Sequence, residues 1–392
     1  MNERTNSDRK ILREHRERMV EKVMEQRQLD ALLLMSVDNV RYATDFYRPD
    51  YSLEEYAEAR AALIQKGGKT VFFDEPPDPY FQRANPWIAD VRYLRSYLYS
   101  CEYDSWAEDI KKPIKEAGLS DKRIGLDYMS FHALDYLKKE LPNATFEPVY
   151  DDLLRARIIK HPLEIELIRE AVKIAELGIR GAWEKAEPGV TEFELVGAAA
   201  KAMYDAGAEA LTHTPCIRAG QGSIMLQFYP TERKLHYGDI VNADLGCIYD
   251  GYCSDILRTT VIGEPTKEQV EVYQALCDAH LKVIGHMRVG VSMGELFEKW
   301  QESIGKWAQY SIPWAHGVGM KLAEPPYLLE HGEAAKFRLQ AGMVLAFEPH
   351  VGVSGLAERI GGQLIVEDDI AITAEGPKRL SVFPYDEKLL GK

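Results

Sequence analysis

Four apolar runs in the C-terminal part of this chain each carry a carboxylate inside a strand-like hydrophobic pattern. Asp244 stands in NADLG, Asp255 in CSDILRT, Glu348 in LAFEPH and Glu367 in LIVEDD. Burying an unpaired carboxylate costs several kcal/mol, so this pattern folds well only if the acids share a partner. A fifth segment, WAHGVGM, sets His316 among small residues that let backbones approach closely. Taken singly, each acid is more often a turn or edge residue on a solvated face; their joint occurrence carries the argument. Four carboxylates and one imidazole meet the needs of two divalent ions about 3.5–4 Å apart, because carboxylates can bridge. Hard, oxygen-rich donors point to Mn, Fe or Co, with Zn also possible.

Composition narrows the function classes. A net charge of −14 argues against a nucleic-acid surface, since that binding rests largely on cationic contacts with phosphate. No apolar run approaches the roughly 20 residues of a membrane helix. The opening MNERTNSDRKILREHRERM lacks the apolar core of a secretory signal. Five cysteines form no CxxC pair; reduced thiols in a cytoplasmic protein are the expectation.

The first 150 residues or so alternate helix and strand. A charged amphipathic helix is predicted over 8–28 and a helix around 129–140, with strands at ALLLMS (31–36), KTVFF (69–73) and RIGLD (123–127). No Gly-rich loop follows a strand there, so no nucleotide site is expected. Near 155–163 the chain enters a long helix that starts at Pro162, where a missing N–H costs least. In PGVTEFE, Thr191 and Glu194 hold the capping-box spacing. From 240 onward strand patterns dominate, with helices near 266–287 and 292–308; antiparallel strands with helices grouped on one face are predicted. The Gly pairs in RAGQGS read as a plain turn.

The segments DLG, GYCSDILRT, HGVG, FEP and VED resemble the signatures of the pita-bread metallopeptidase family. That family includes methionine aminopeptidase, prolidase, aminopeptidase P and the metal-free creatinase. RARIIKHPLEIELIREA and PGVTEFE extend the likeness, and NVRYATDF does so more weakly. The resemblance implies an α+β protein: an α/β creatinase-like N-terminal domain over 1–156, then a pita-bread dinuclear metal domain over 157–392. It implies that Asp244 binds one ion and that Asp255 and Glu367 bridge two. His316 and Glu348 then hold the other ion, with Glu348 near enough to relay a proton and a metal-bridged hydroxide as nucleophile. The implied activity is prolidase-like hydrolysis of an amide or related C–N bond in a small, carboxylate-bearing substrate such as a dipeptide. A homodimer is the expected assembly.

Two histidines of the family's peptidases are replaced, by Phe228 in LQFYP and by Ala323 in MKLAEPPY. Losing general acid–base help costs about 10²–10⁴ in rate. Dimethylsulfoniopropionate lyases of the same fold are similar in the NxRYATD segment and in the ending FPYDEKLLG, which makes β-elimination the alternative reaction. Their expected base is replaced here by Leu322. A third reading is a non-catalytic binding protein. His350, two residues beyond Glu348, is the candidate proton carrier, though a polar strand-end residue would look the same. Arg218 is a candidate carboxylate clamp, and Tyr229 and Trp314 are candidate pocket walls. Glu324 is expected to cap a turn rather than orient a ligand, and His213 and His331 to lie on the surface or in loops rather than at the pocket rim.

Overall fold

The computed structural model describes residues 6–46, 60–74, 83–95, 103–224, 229–328 and 332–392. They form two compact units, Met1–Arg157 and Ile158–Lys392. No helix among the described residues is long and apolar enough to cross a membrane.

The first unit opens with α1 (Asn6–Arg27), β1 (Ala31–Leu34) and α2 (Val37–Thr44), followed by β2 (Ala61–Gln65), β3 (Thr70–Asp74) and β4 (Asp90–Tyr93). Then come α3 (Tyr103–Glu116), β5 (Arg123–Leu126), α4 (Phe131–Glu140), β6 (Thr145–Pro148) and α5 (Tyr150–Ala156). The six strands make one mixed sheet in the order β4-β3-β2-β1-β5-β6. Its centre is fully buried at Leu33, Leu63 and Phe73 against Trp106, Ile110 and Leu137 of the helices. The segment NVRYATDF supplies helix α2. Strand β2 (AALIQ) is absent from the expected strands although it is apolar, and β4 and β6 are absent too. The latter two are half-exposed edge strands without an apolar run, so the hydrophobic pattern that marks a central strand is missing from them.

The second unit begins with α6 (Pro162–Lys185) and α7 (Glu192–Asp205). Later come α8 (Lys267–His286) and α9 (Met293–Ile304). All four start on reciprocal capping boxes, at His161/Glu164, Thr191/Glu194, Thr266/Gln269 and Ser292/Glu295. Each box satisfies orphan N–H groups of the first turn and fixes where the helix begins. Every strand pair in this unit is antiparallel. The strands β7 (Ala210–Leu211), β10 (Cys247–Tyr249) and β11 (Tyr252–Cys253) form one small sheet. Another joins β8 (Cys216–Ala219), β9 (Ile240–Leu245) and β12 (Ile256–Val261). A third is made of β13 (Ser311–Ile312), β17 (His350–Val351) and β18 (Leu364–Ile365). The largest contains β14 (Ala315–Gly317), β15 (Glu324–Tyr327), β16 (Val344–Phe347), β19 (Asp368–Thr373) and β20 (Gly376–Arg379), in the order β15-β14-β16-β19-β20. Helices α8 and α9 cover these strands through a core that includes Leu276, Trp300, Phe347 and Ile370. The RAGQGS stretch is not a plain turn: Gly220–Ile224 winds into a 3₁₀ helix directly after β8.

Candidate metal centre

The acids converge because two antiparallel ladders meet. In the first, Asp244 on β9 lies opposite Leu257 on β12. Asp255 stands two residues before Leu257, so period-two alternation turns it to the face that Asp244 occupies. The connection is a hairpin in which Asp250 and Gly251 both take positive φ (46° and 84°), the conformation of a tight two-residue β-turn. In the second ladder, His316 on β14 lies opposite Ala346 on β16, and Ala346 lies opposite Asp369 on β19. His316 and Asp369 therefore share a face.

Hydrogen bonds tie the ladders together. The Glu367 N–H donates to the Leu257 carbonyl (3.0 Å), and the Glu348 N–H donates to the Trp314 carbonyl (2.8 Å). The Asp255 N–H donates to Asp369 Oδ2 at 3.1 Å. Arg258, buried beside them, donates to the Glu367 carbonyl at 2.6 Å and to Asp368 Oδ1 at 2.7 Å. The adjacent acids of VEDD are thus separated in role: the Asp368 carboxylate is bound to Arg258, whereas Arg258 holds Glu367 only by its backbone carbonyl. The pKa of Asp368 is lowered: burial opposes ionisation, and Arg258, His280 and Arg379 outweigh it.

The cluster is dense and largely buried. Donor atoms of Asp255, His316 and Glu367 lie within 4.8 Å of one another, and all three residues are buried. His316 Nε2 is 3.4 Å from Asp255 Oδ2, while its Nδ1 lies 3.1 Å from the Gly317 carbonyl. That carbonyl fixes the proton on Nδ1 and frees Nε2 for a ligand. Both carboxylate oxygens of Glu367, together with Asp244 Oδ1, Glu348 Oε1 and Asp369 Oδ1, are buried without a hydrogen-bond donor. Glu367 is driven well above the usual carboxylate range by burial and then by the charges of Asp255, Glu348, Asp244 and Asp369. Asp255 rises to about 6, chiefly through burial. Burial works against a charged His316, but Asp255 overrides it and carries the imidazole up to about 9. Crowded buried carboxylate oxygens with no donor are what divalent cations satisfy, so these residues fit a metal.

The remaining expectations fare unevenly. His350 is buried with Nε2 at 3.2 Å from Glu348 Oε1, so it is not a polar group at an open strand end. Arg218 lies 3.4 Å from the buried Glu192 carboxylate and donates to the Tyr229 carbonyl. Tyr229 and Trp314 are 67% and 49% exposed. Glu324 caps no turn; it begins strand β15, fully buried, and pairs with Lys160 at 2.7 Å. Leu322 and Ala323 precede it in a bend. Phe228 and His331 lie outside the described residues. His213 lies on the loop between β7 and β8, yet beside the cluster: its Nε2 is 3.6 Å from Asp244 Oδ1 at 21% side-chain exposure. Burial opposes its charge and Asp244 overrides that, raising it well above the ordinary range. Sequence reasoning gave no ligand role to His213, Cys216 or Asp369, which the structure sets beside the cluster. The H-x-x-C spacing of the first two was the available signal; Asp369 depends on strand register.

Comparison with known proteins gives the site a family. Residues 166–374 match metallopeptidase family M24, and residues 16–159 match the creatinase/prolidase N-terminal domain. An Xaa-Pro dipeptidase of Pyrococcus horikoshii is 29% identical over 300 residues, spanning 73% of this chain and 83% of the relative. That of Pyrococcus furiosus is 28% identical over 332 residues, spanning 79% and 92%. Among solved structures, an Xaa-Pro dipeptidase from Bacillus anthracis superposes with a TM-score of 0.79 at 24% identity, covering 95% of this chain and 98% of that one. An X-Pro aminopeptidase from Thermotoga maritima gives 0.78 at 20% identity, covering 95% and 99%. These are peptidases, and the elimination reading gains no support from them. The M24 match spans more than half of the 392 residues: the chain belongs to metallopeptidase family M24, a metal-dependent hydrolase whose pita-bread catalytic domain follows a creatinase/prolidase N-terminal domain in sequence.

Proposed function

We propose that this protein is a dinuclear metal hydrolase that cleaves the amide bond of a small, carboxylate-bearing dipeptide of the Xaa-Pro type. The observation that carries the reading is Glu367, fully buried with neither carboxylate oxygen hydrogen-bonded, beside Asp255 and His316 within ligand distance. Asp244, Asp255, His316, Glu348 and Glu367 would hold two divalent ions. The donor set suits Mn, Fe or Co, with Zn possible. Once bound, the ions would polarise the scissile carbonyl and lower the pKa of an attacking water.

The chain's own groups supply the rest. Glu348 takes a proton on the oxygen that faces His350 Nε2, and His350 passes it towards the leaving nitrogen. This pair stands in for the family histidines replaced by Phe228 and Ala323. Arg218 shares a strand face with Cys216, which lies opposite Asp244, and Glu192 holds its guanidinium; it anchors the substrate carboxylate through paired hydrogen bonds. Tyr229 and Trp314 line the approach. Residues 157–392 would carry catalysis, and the protein would work as a cytoplasmic homodimer; light scattering on the purified chain tests the assembly.

The deciding experiment strips the protein of metal and reloads it separately with Mn, Fe, Co or Zn. Each form is then offered a panel of X-Pro dipeptides, with products followed by mass spectrometry. Release of proline and the free N-terminal amino acid is expected. Dimethyl sulfide release from a sulfonium acid, or no dipeptide turnover with metal fully loaded, would overturn the reading.

A further inference from the structure

The centre has a second donor cluster beside the first, and it contains sulfur. His213, Cys216 and Asp244 offer ligand atoms that all lie within 4.8 Å of one another. Cys216 on β8 faces Asp244 directly across the β8–β9 ladder, where directly opposed side chains sit about 4.5–5.5 Å apart at Cβ. His213 reaches the same carboxylate from the loop between β7 and β8, with Nε2 at 3.6 Å from Asp244 Oδ1. That oxygen is buried without a hydrogen-bond donor.

The imidazole is also aimed. The Thr212 hydroxyl sits 3.0 Å from His213 Nδ1, and the Thr212 N–H donates to the Gly246 carbonyl at 3.1 Å. His213 Nε2 lies 3.4 Å from the Asp244 backbone carbonyl and 3.6 Å from its carboxylate; metal-bound histidines keep a partner on the ring nitrogen that does not bind the ion, the place the Thr212 hydroxyl takes here. Gly246 makes room for it. A Cβ there would fall 2.2 Å from the Ser254 carbonyl and 2.3 Å from the Thr212 hydroxyl, so any side chain at this position would displace the group that orients His213.

We propose that His213 and Cys216 join Asp244 as ligands, giving one of the two ions a mixed nitrogen, sulfur and oxygen donor set that selects Zn, Co or Fe over Mn. This rests on the reading of Asp244 as a metal ligand given above. On binding, the Cys216 thiol releases its proton to solvent and the thiolate closes on the ion. Thiolate and imidazole donors favour borderline metals, whereas an all-oxygen site accommodates Mn. The other ion, held by Asp255, His316, Glu348 and Glu367, keeps the harder environment. The two sites of one centre therefore differ in metal preference.

The experiment loads the stripped wild-type chain with Co(II) and records its ultraviolet and visible spectrum. It also measures bound-metal stoichiometry and Zn-against-Mn competition with a chelator. Two cobalt ions with a thiolate-to-cobalt charge-transfer band are expected. In Cys216→Ser the band disappears and Zn preference over Mn falls by about tenfold or more; His213→Ala weakens Zn in the same direction. A probe that needs no variant is alkylation of the folded wild-type chain with iodoacetamide, read by peptide mass spectrometry: Zn should shield Cys216, and Mn should not. Two bound cobalt ions without the thiolate band, or equal shielding by Zn and Mn, would overturn this proposal while leaving the dinuclear reading intact. A wild-type chain that binds no ion would overturn both.

Discussion

Glu367 is the side chain on which the most physical tension falls. It is almost completely buried, its oxygens meet no donor, and four other carboxylates lie close enough to suppress its ionisation. Such a residue is tolerated because cations replace the lost water. Glu367→Gln keeps the shape and removes the charge; we expect it to lower metal affinity by more than about 100-fold, beyond the 10–100-fold typical of losing a supporting partner, as read by titration with a metal indicator. His350→Gln should behave differently, keeping both ions while kcat falls by about 10²–10⁴. Unchanged turnover in that variant would remove His350 from the proton path. The acids were legible in the sequence because a charged residue inside LAFEPH or LIVEDD contradicts its surroundings. His213 and Cys216 carried no such contradiction, because THTPC lies in a polar, turn-like stretch where their H-x-x-C spacing was the one signal. Only the pairing of β8 with β9 places Cys216 against Asp244.

Among the elements, helix α8 links the core to the centre through His280. This imidazole is wholly buried, with Nε2 at 3.1 Å from the Phe347 carbonyl and Nδ1 at 2.8 Å from the Tyr385 hydroxyl. Burial depresses its pKa to about 4, against partial opposition from Asp368. The unfolded chain therefore takes up a proton near pH 6.5, before the folded chain does, and stability is lost as pH falls from about 6.5 through 4. The group accounts for up to about 3 kcal/mol across that window. Urea unfolding at pH 7 and at pH 4.5 checks this: His280→Gln should show a clearly smaller loss between the two than the wild type, other titrating groups being common to both. The α/β alternation, the long helix from Pro162 and the Thr191 cap were all readable, because periodicity and capping are local signals. The 3₁₀ turn after β8 and the buried Lys160–Glu324 pair depend on contacts remote in sequence.

For the whole molecule, the proposed ligand set would couple metal to fold in the second unit. Removing the ions leaves Asp244, Asp255, Glu348, Glu367 and Asp369 facing one another without compensation. Chelation should lower the thermal midpoint and restored metal should recover it, with about 4 kcal/mol at stake when free metal is 1,000 times its Kd. Scanning calorimetry of stripped and reloaded protein reads this directly; equal midpoints would mean that the ions contribute nothing to the fold. Arg258 extends the coupling to the far end of the chain, because the guanidinium that fixes Glu367 and Asp368 also donates to the Ser381 hydroxyl (3.0 Å) and the Phe383 carbonyl (2.8 Å). Glu176 on α6 grips the same stretch, accepting from the Ser381 hydroxyl and the Phe383 N–H at 2.9 and 2.7 Å. The tail is thus tied, through Arg258, to the backbone of Glu367. Clipping residues 381–392 should leave every donor in place yet loosen the ions, and a protease that nicks this strip would switch the enzyme off without touching its pocket.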